Sequence, residues 1–198
     1  MARAVFLDRD GVINKKPSEG SYITCWENFT FLPRVVEAIT RLNRAGFYVI
    51  VITNQRCVAK GLLAAAELEA IHQRMFDCLA DRGAKIDAIY YCPHDVKPAC
   101  RCRKPAPGML IDAARRYGIE LTASWMIGDS DTDIEAGKNA GCKTARLLAE
   151  RSSSAGARRK PCSTQGVVAN SLFDAVRQIL ENEARMQSQK TLASTSSA

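Results

Sequence analysis

No run of about 18 consecutive apolar residues occurs in this sequence, and a membrane-spanning helix needs a run of that length. The start of the chain also lacks the charged and then apolar pattern of a secretory signal peptide, since it enters an apolar stretch at Val5 almost at once. From these two absences we expect a cytoplasmic protein that does not associate with membranes. Internal repeats are absent as well.

Histidine is scarce, with two residues, whereas cysteine is plentiful, with eight. Disulfides are rare in the cytoplasm, where clustered cysteines more often bind a metal or take part in catalysis. Three of the cysteines, Cys92, Cys100 and Cys102, fall within eleven residues, and His94 lies among them. This stretch is therefore a candidate metal site.

The chain has 198 residues, of which 46% are hydrophobic and 25% charged, an ordinary composition for a globular protein. That length is enough for one α/β domain with a sizeable core. The net charge of +7 favours anionic ligands, although it does not separate a nucleic acid from a small phosphate ester.

A short apolar stretch at residues 5–7 predicts a fully buried strand that runs directly into Asp8, Asp10 and Gly11. Two carboxylates within a few ångströms repel each other, and burial disfavours the ionised form of each. A divalent cation would make the arrangement favourable, because hard cations take oxygen ligands. The alternative is a surface turn in which Asp10 and Gly11 close a bend.

The rest of the chain alternates between short apolar runs and longer segments with helical spacing, which predicts a parallel sheet with helices on both faces. We expect this Rossmann-like α/β fold to form a single domain over residues 1–182, without a large cap domain, followed by a flexible tail at 183–198. A mobile loop rich in Ser, Arg and Lys is predicted at 149–166. The predicted strands cover residues 5–7, 47–52, 86–91, 125–127, 143–148 and 167–169, and the predicted helices cover 33–46, 62–79, 108–117, 134–140 and a segment after 172.

In parallel sheets of this type, ligands bind beyond the carboxyl ends of the strands. Polar residues follow three of the predicted strands at that edge, namely Asp8 and Asp10, Thr53 and Asn54, and Asp129 and Asp133. An explanation by surface turns would have to hold three times over, so we favour a functional site.

Four short motifs occur in order along the chain, namely Asp8-Arg9-Asp10-Gly11, Thr53-Asn54-Gln55, Lys104-Pro105, and Gly128-Asp129 with Asp133. This set resembles the motifs of the haloacid dehalogenase superfamily of phosphohydrolases, and the resemblance extends over residues 4–148. It implies a phosphatase that works through an aspartyl-phosphate.

By this resemblance Asp8 is the nucleophile, and a carboxylate suits the role because the resulting acyl phosphate is readily hydrolysed. Asp10 would protonate the leaving alkoxide and then activate water. The carboxylates of Asp8 and Asp129, with the main-chain carbonyl of Asp10, would hold Mg²⁺.

The resemblance also implies that Thr53 and Asn54 donate hydrogen bonds to phosphoryl oxygens and that Lys104 offsets negative charge. For Asp133 two roles stay open. It holds Lys104 or a metal-bound water, or it serves only as an acid at the start of a helix.

Cys92, His94, Cys100 and Cys102 form a Cys₃His set that suits tetrahedral Zn²⁺. All four ligand positions would come from the protein, so the zinc would be structural. We expect the zinc to orient the positively charged side chains of residues 103 and 104 toward the phosphate. The alternative is four unliganded side chains in a loop.

Within the superfamily, the zinc loop and the sequences of the motifs resemble those of the heptose-bisphosphate phosphatases and their relatives, the histidinol-phosphate phosphatases. The expected substrate contacts are Gly20, Tyr22, Asn54, Gln55, Arg103 and Lys104. Three departures from the heptose enzymes keep both substrates open: a longer segment after the acids, a short zinc loop, and Ser130 in place of a lysine.

Our leading hypothesis is a monomeric, Mg²⁺-dependent phosphatase that releases the 7-phosphate of a small sugar phosphate, D-glycero-D-manno-heptose 1,7-bisphosphate. Histidinol phosphate is the alternative substrate. A non-enzyme alternative is a zinc-containing nucleic-acid binder, supported by the net charge and by Arg158-Arg159-Lys160. Because the basic residues are otherwise scattered and no aromatic stacking platform occurs, we expect no nucleic-acid partner. We expect His72 to be structural.

Overall fold

The structure is a computed structural model, and it describes residues 1–148 and 166–195, with side chains up to Arg185. Most of the predicted mobile loop and the Arg158-Arg159-Lys160 cluster lie outside these residues. Within the described ranges, no helix combines the length and the apolar character that crossing a membrane requires.

The described residues form six strands and five α-helices, which alternate as the sequence predicts except that the last two strands follow each other. The strands are β1 (Ala4–Leu7), β2 (Tyr48–Asn54), β3 (Ala88–Cys92), β4 (Trp125–Gly128), β5 (Lys143–Leu147) and β6 (Val167–Ala169). The helices are α1 (Val35–Arg44), α2 (Ala65–Ala80), α3 (Gly108–Tyr117), α4 (Asp131–Asn139) and α5 (Leu172–Thr195). Two short 3-10 helices span Trp26–Asn28 and Leu121–Ala123.

All strands pair in parallel, in the order β3-β2-β1-β4-β5-β6. The strand that precedes the two acids therefore lies inside the sheet, between β2 and β4. Phe6 pairs with Ile50 on one side and with Met126 on the other. Every residue of β1 is buried, as expected for a central strand of a sheet that is covered by helices on both faces.

The core has two halves, one on each face of the sheet, because side chains alternate along a strand. Val5 and Leu7 pack on the face covered by α1, α2 and α5. Ala4 and Phe6 pack on the face covered by α3 and α4. Each fully buried large apolar side chain stabilises the fold by about 1.5–3 kcal/mol. The predicted fold class, a parallel sheet with helices on both faces, is confirmed.

Two element boundaries differ from the predictions in a way that matters for function. Strand β2 continues through Thr53 and Asn54, which therefore belong to the strand instead of following it. Helix α4 begins at Asp131 and not at Ile134, because Ser130 and Asp133 form a capping box that starts the helix before its first apolar residue.

The segments after β1 and β2 contain no inserted cap domain in the described residues, where they form loops and one 3-10 helix. At the other end of the chain, α5 runs past the predicted domain boundary at residue 182. Glu183 contacts Arg3 at 2.9 Å and Lys143 at 2.8 Å, so the packed part of the chain reaches at least this residue. The flexibility of the tail beyond it stays a prediction.

Candidate active site

Neighbouring strands bring the predicted acids and polar residues to one edge of the sheet. Asp8 follows β1, Asp129 follows β4, and Thr53 and Asn54 end β2. These three strands are adjacent in the order β2-β1-β4. Lys104 reaches the same edge from the loop before α3, so four motifs that are far apart in sequence meet at one place.

Lys104 lies at the centre of this edge and is almost completely buried, with 3% of its surface exposed. Its Nζ lies 2.7 Å from Asp8 Oδ1, 2.7 Å from the carbonyl oxygen of Ile52 and 2.6 Å from Asp133 Oδ1. The contacts with Asp8 and Ile52 are hydrogen bonds, and the contact with Asp133 is an ion pair. Lys104 therefore ties β1, β2 and α4 together.

Asp133 combines the two roles that the sequence left open. Its Oδ1 pairs with Lys104, and its Oδ2 accepts hydrogen bonds from the main-chain N–H and the hydroxyl of Ser130 at the start of α4. Gly128 makes this approach possible, because a Cβ at that position would lie 2.1 Å from the Cβ of Asp133.

Negative charge exceeds positive charge around Asp8. Burial raises the pKa of Asp8 to about 7, Lys104 opposes the rise, and the carboxylates of Asp133 and Asp10 add to it. Burial lowers the pKa of Lys104, but Asp8 and Asp133 more than compensate, so its pKa is raised and it stays charged. Lys104 alone does not balance the acids. Even with Lys16 on Asp129 and Arg9 on Asp10, four acids face three cations, so a further cation would be favourable.

Asp129 supplies a direct indication of where that cation would bind. Its Oδ1 is buried and has no hydrogen-bond partner among the described residues. Asp8, Asp129 and Asp133 each place a carboxylate oxygen within 4.8 Å of the others. Asp133 Oδ1 is ion-paired with Lys104 and its Oδ2 accepts hydrogen bonds from Ser130, so Asp8 and Asp129 are the acids that best fit a hard divalent cation such as Mg²⁺.

Two residues near Asp129 were not predicted as its neighbours. Lys16 places its Nζ 2.7 Å from Asp129 Oδ2, although its side chain is 56% exposed. Gly11 has a φ of +92°, and a Cβ there would lie 2.5 Å from Asp129 Oδ2. The glycine therefore serves both the turn after the acids and the close approach of Asp129.

Gln55 connects the acid Asp10 to the hydroxyl of Thr53. Its Nε2 donates to Thr53 Oγ1 at 2.9 Å and to Asp10 Oδ2 at 3.0 Å. Since the Thr53 hydroxyl accepts this bond, its own proton is free to be donated to a ligand. Thr53 is thus arranged as a donor, while the predicted substrate contact of Gln55 stays a prediction.

Asn54 is occupied by the main chain of Lys104. Its side-chain oxygen accepts a hydrogen bond from the Lys104 N–H at 3.1 Å, and its Nδ2 donates to the Lys104 carbonyl at 3.2 Å. The pair of bonds fixes the lysine loop to the end of β2. One amide hydrogen remains for the predicted contact with a phosphoryl oxygen.

Arg9 contacts the acid Asp10, and His72 contacts Arg9, two contacts that the sequence interpretation did not include. The expectation that His72 is structural stays a prediction. Arg9 is fully buried and donates to both carboxylate oxygens of Asp10, at 3.0–3.2 Å. Its Nη1 lies 3.0 Å from Nε2 of His72 on α2. The only signal in the sequence was an arginine between two acids at the end of a buried strand, where a charge needs a partner.

The predicted zinc ligands converge. Sulfur–sulfur distances among Cys92, Cys100 and Cys102 are 3.3–3.6 Å, and His94 Nδ1 lies 3.2 Å from Cys102 Sγ and 3.5 Å from Cys92 Sγ. A disulfide needs about 2.05 Å between sulfurs, so these are free thiols. Tetrahedral Zn²⁺ with bonds of about 2.3 Å separates its sulfur ligands by about 3.8 Å, so the set fits this ion closely.

The zinc loop also contacts the segments around the acids. Arg103 Nη1 donates to the carbonyl oxygen of His94 at 3.2 Å, and Asp95 pairs with Arg56 of the loop after β2 at 2.5 Å. Arg56 also lies next to Tyr22. These contacts join the zinc loop, the β2 loop and the segment after β1.

A cavity of about 280 Å³ lies within the segment that follows the acids. Tyr22 and Lys16 line it, whereas Gly20 is exposed and not in its lining. A larger cavity, of about 600 Å³, lies between the zinc loop and the loop after β2 and is not lined by any of the motif acids. Neither cavity is lined by a motif acid, and the smaller one is linked to the candidate active site through Lys16, whose Nζ contacts Asp129.

Comparison with known proteins places the chain among phosphatases. A family model described as HAD-hydrolase-like matches residues 101–175. The chain is 42% identical over 154 residues to D-glycero-beta-D-manno-heptose-1,7-bisphosphate 7-phosphatase of Rhodopseudomonas palustris, covering 74% of this chain and 84% of that protein. The Escherichia coli protein of the same name is 39% identical over 152 residues, covering 73% of this chain and 78% of that protein.

Solved structures give the same picture. The D,D-heptose 1,7-bisphosphate phosphatase of B. bronchiseptica, complexed with magnesium and phosphate, has a TM-score of 0.79 and 35% identity, covering 91% of this chain and 99% of that one. A HAD-like phosphatase of Mesorhizobium loti has a TM-score of 0.71 and 29% identity, covering 89% of this chain and 87% of that one.

The fold and the site define a hydrolase of the haloacid dehalogenase type. The identity to the curated relatives is high enough, over enough of their length, to be more specific. The chain belongs to the haloacid dehalogenase-like phosphatases, in the family that contains the heptose-bisphosphate 7-phosphatases.

The raised pKa of Asp8 predicts that Mg²⁺ binds more weakly as the pH falls. In the metal-free protein, protonated Asp8 stabilises the folded state at low pH, and this contribution is lost as the pH rises through about 7. The proton and the cation compete, so the apparent Kd for Mg²⁺ should rise by up to about tenfold per pH unit below that value. Calorimetric titration at about pH 5.5 and about pH 7.5 measures it.

The Asp8→Asn variant is the control, since it cannot take up the proton. Its Mg²⁺ affinity should be lower than that of the wild type and should change little between the two pH values. Equal Kd values for the wild-type protein at both pH values would contradict the assignment of Asp8 to the cation site.

Proposed function

We propose that this protein is a Mg²⁺-dependent phosphomonoester hydrolase that removes the 7-phosphate of D-glycero-D-manno-heptose 1,7-bisphosphate. The observation that carries the reaction type is the contact of Asp8 with the buried Lys104, beside the unpaired oxygen of Asp129. The names of relatives that are 39–42% identical support the substrate.

Asp8 is proposed as the nucleophile. Lys104 occupies Oδ1, which leaves Oδ2 to attack the phosphorus atom. The new O–P bond gives an aspartyl-phosphate as the bond to the sugar oxygen breaks, and Asp10 gives its proton to that oxygen. A water molecule then attacks the phosphorus, Asp10 takes its proton, and Asp8 is released with inorganic phosphate.

The cation site proposed at Asp8 and Asp129, with the main-chain carbonyl of Asp10, lets an anionic phosphate approach these acids. Bound Mg²⁺ would neutralise them and polarise a phosphoryl oxygen. Lys104, held on three oxygens, already stands beside the attacking carboxylate and needs no rearrangement to offset charge there.

Thr53 and Asn54 are proposed to bind phosphoryl oxygens. Gln55 donates to the Thr53 hydroxyl, so that hydroxyl can direct its proton toward the phosphate. Losing one such donor typically costs about 10²–10³ in kcat.

The substrate contacts proposed outside the motifs are Gly20, Tyr22, Gln55 and Arg103. Tyr22 lines the cavity in the segment after the acids, and Arg103 is anchored to the zinc loop through the carbonyl oxygen of His94. The exposed sheet edge, which no inserted cap domain covers in the described residues, supports a small soluble sugar phosphate as partner. A monomer in the cytoplasm remains part of this proposal.

Zinc at Cys92, His94, Cys100 and Cys102 is proposed as structural. The four ligand atoms lie within 4.8 Å of one another and would fill a tetrahedral site. The loop that they close leads directly into Arg103 and Lys104, so the ion would hold both cations at the sheet edge.

Asp8→Asn should reduce phosphatase turnover by at least about 10³-fold, because the amide cannot act as the nucleophile. Release of inorganic phosphate under saturating substrate and Mg²⁺ measures the effect. Asp77→Asn, at an exposed acid on α2, is the matched control and should retain wild-type activity. Near-normal hydrolysis by the Asp8 variant, with the control unchanged, would refute the proposed reaction.

The substrate is tested by comparing kcat/KM for heptose 1,7-bisphosphate with kcat/KM for histidinol phosphate. We expect the heptose substrate to be preferred by at least about 10-fold, equivalent to about 1.4 kcal/mol of transition-state binding. Product analysis should show loss of the 7-phosphate with the 1-phosphate retained. A preference for histidinol phosphate would leave the reaction in place and overturn the substrate.

Freshly purified protein should contain about one equivalent of zinc by elemental analysis. Cys102→Ser should lower that content below about half an equivalent and lower the melting temperature by several degrees, because zinc binding is coupled to folding of the loop. Cys78→Ser, at a partly buried cysteine on α2 outside the cluster, should keep its zinc. A low zinc content in wild-type protein that has not been exposed to a chelator would contradict the proposal.

A further inference from the structure

Arg9 carries a permanent charge in a fully buried position. Its residue has 0% of its surface exposed, and Phe29 lies over the guanidinium group at 6.0 Å. Burying such a charge is costly unless the geometry of its partners is good. Its ion-pair partner among the described residues is Asp10, the adjacent acid. Because this arginine is buried, it does not contribute to surface solubility, and its charge must have another role.

Arg9 binds the carboxylate of Asp10 through Nε and Nη2 of its guanidinium group. Nε donates to Asp10 Oδ1 at 3.2 Å, and Nη2 donates to Oδ1 and Oδ2 at 3.0 Å each. This two-nitrogen contact fixes the plane of the carboxylate as well as its position, which a lysine cannot do.

His72 holds the other side of the same group. Arg9 Nη1 lies 3.0 Å from His72 Nε2, and a guanidinium nitrogen can only donate. Nε2 is therefore the acceptor, so the ring is neutral with its proton on Nδ1. Burial and then the charge of Arg9 lower the pKa of His72 to about 3, which keeps the acceptor available at physiological pH.

The remaining donors around Asp10 come from Asn14 and Gln55. Asn14 Nδ2 donates to Oδ1 at 2.9 Å, and Gln55 Nε2 donates to Oδ2 at 3.0 Å. The Asp10 side chain nevertheless remains 21% exposed, so a ligand can still reach it. Its direction is thus determined by residues of the β1 loop, the β2 loop and helix α2.

We propose that Arg9 and His72 are positioning residues that orient the carboxylate of Asp10 toward the leaving oxygen of the substrate. This inference rests on the proposed function, in which Asp10 protonates that oxygen. His72 acts through Arg9 and touches neither the substrate nor the reacting atoms. Helix α2 thereby contributes to catalysis although none of its residues belongs to the four motifs.

The inference predicts a dependence on the leaving group. An alkoxide is a poor leaving group and needs the proton of a well-placed acid, whereas an aryloxide such as p-nitrophenolate departs without one. Misplacement of a reacting group by about 1 Å can cost about 10²-fold. A loosened Asp10 should therefore slow the release of an alkoxide much more than the release of p-nitrophenolate. A general loss of structure would slow both equally.

The experiment measures single-turnover release of the leaving group from a sugar phosphate and from p-nitrophenyl phosphate, with Mg²⁺ present. Three variants on the buried face of α2 are compared: His72→Leu removes the acceptor, His72→Gln retains an amide acceptor, and Met75→Leu is the control. Single turnovers exclude the later hydrolysis of the aspartyl-phosphate from the measured rate.

His72→Leu should lose about 10- to 100-fold in the single-turnover rate constant on the sugar phosphate and less than about 3-fold on p-nitrophenyl phosphate, with the half-saturating concentration nearly unchanged. His72→Gln should recover most of the loss, and Met75→Leu should match the wild type. If His72→Leu does not fold, His72→Asn replaces it, because its shorter amide does not reach Arg9 Nη1.

Equal losses on the two substrates, or a His72→Leu variant indistinguishable from Met75→Leu, would overturn the positioning role and leave the proposed function intact. A wild-type protein that releases neither leaving group would overturn the proposed function and this inference with it.

Discussion

The contact of the buried Lys104 ammonium with Asp8, Asp133 and the Ile52 carbonyl is the interaction on which the site depends. This contact holds the loop before α3 against the end of β1 and the start of α4. Without the lysine, the carboxylates at this point would repel one another. Its charge does not fully balance the acids, and the remaining excess makes this edge of the sheet attractive to a divalent cation. The phosphate chemistry follows from that imbalance.

Several contacts serve to hold Lys104 where it is. Asn54 binds both main-chain polar groups of the lysine, and the Cys₃His cluster closes the loop that leads into it. A flexible four-carbon side chain gains a fixed position in this way, because its main chain is hydrogen-bonded and its ammonium group contacts three oxygens. The same loop carries Arg103, so one structural ion would position two cations toward an anionic substrate.

The two acids after β1, Asp8 and Asp10, lie in different environments. Asp8 contacts Lys104 and lies beside the unpaired oxygen of Asp129, which suits a nucleophile and metal ligand. Asp10 is surrounded by the donors of Arg9, Asn14 and Gln55, which suits a group whose direction must be controlled. Two adjacent carboxylates can thus take different chemical roles because their hydrogen-bond partners differ. We propose that the substrate is selected by the segment after the acids and by the zinc loop.

The sequence by itself determined the features that depend on local pattern: the buried strands, the polar residues at their carboxyl ends, the order of the motifs and the Cys₃His set. Only the tertiary structure revealed the contacts of Arg9 with His72, Lys16 with Asp129 and Asn54 with the Lys104 main chain. These partners lie 63, 113 and 50 residues apart, and no periodicity or short motif encodes such distances. A side chain that could bind a ligand or another residue equally well, as Asn54 could, is assigned only when packing places one partner within reach.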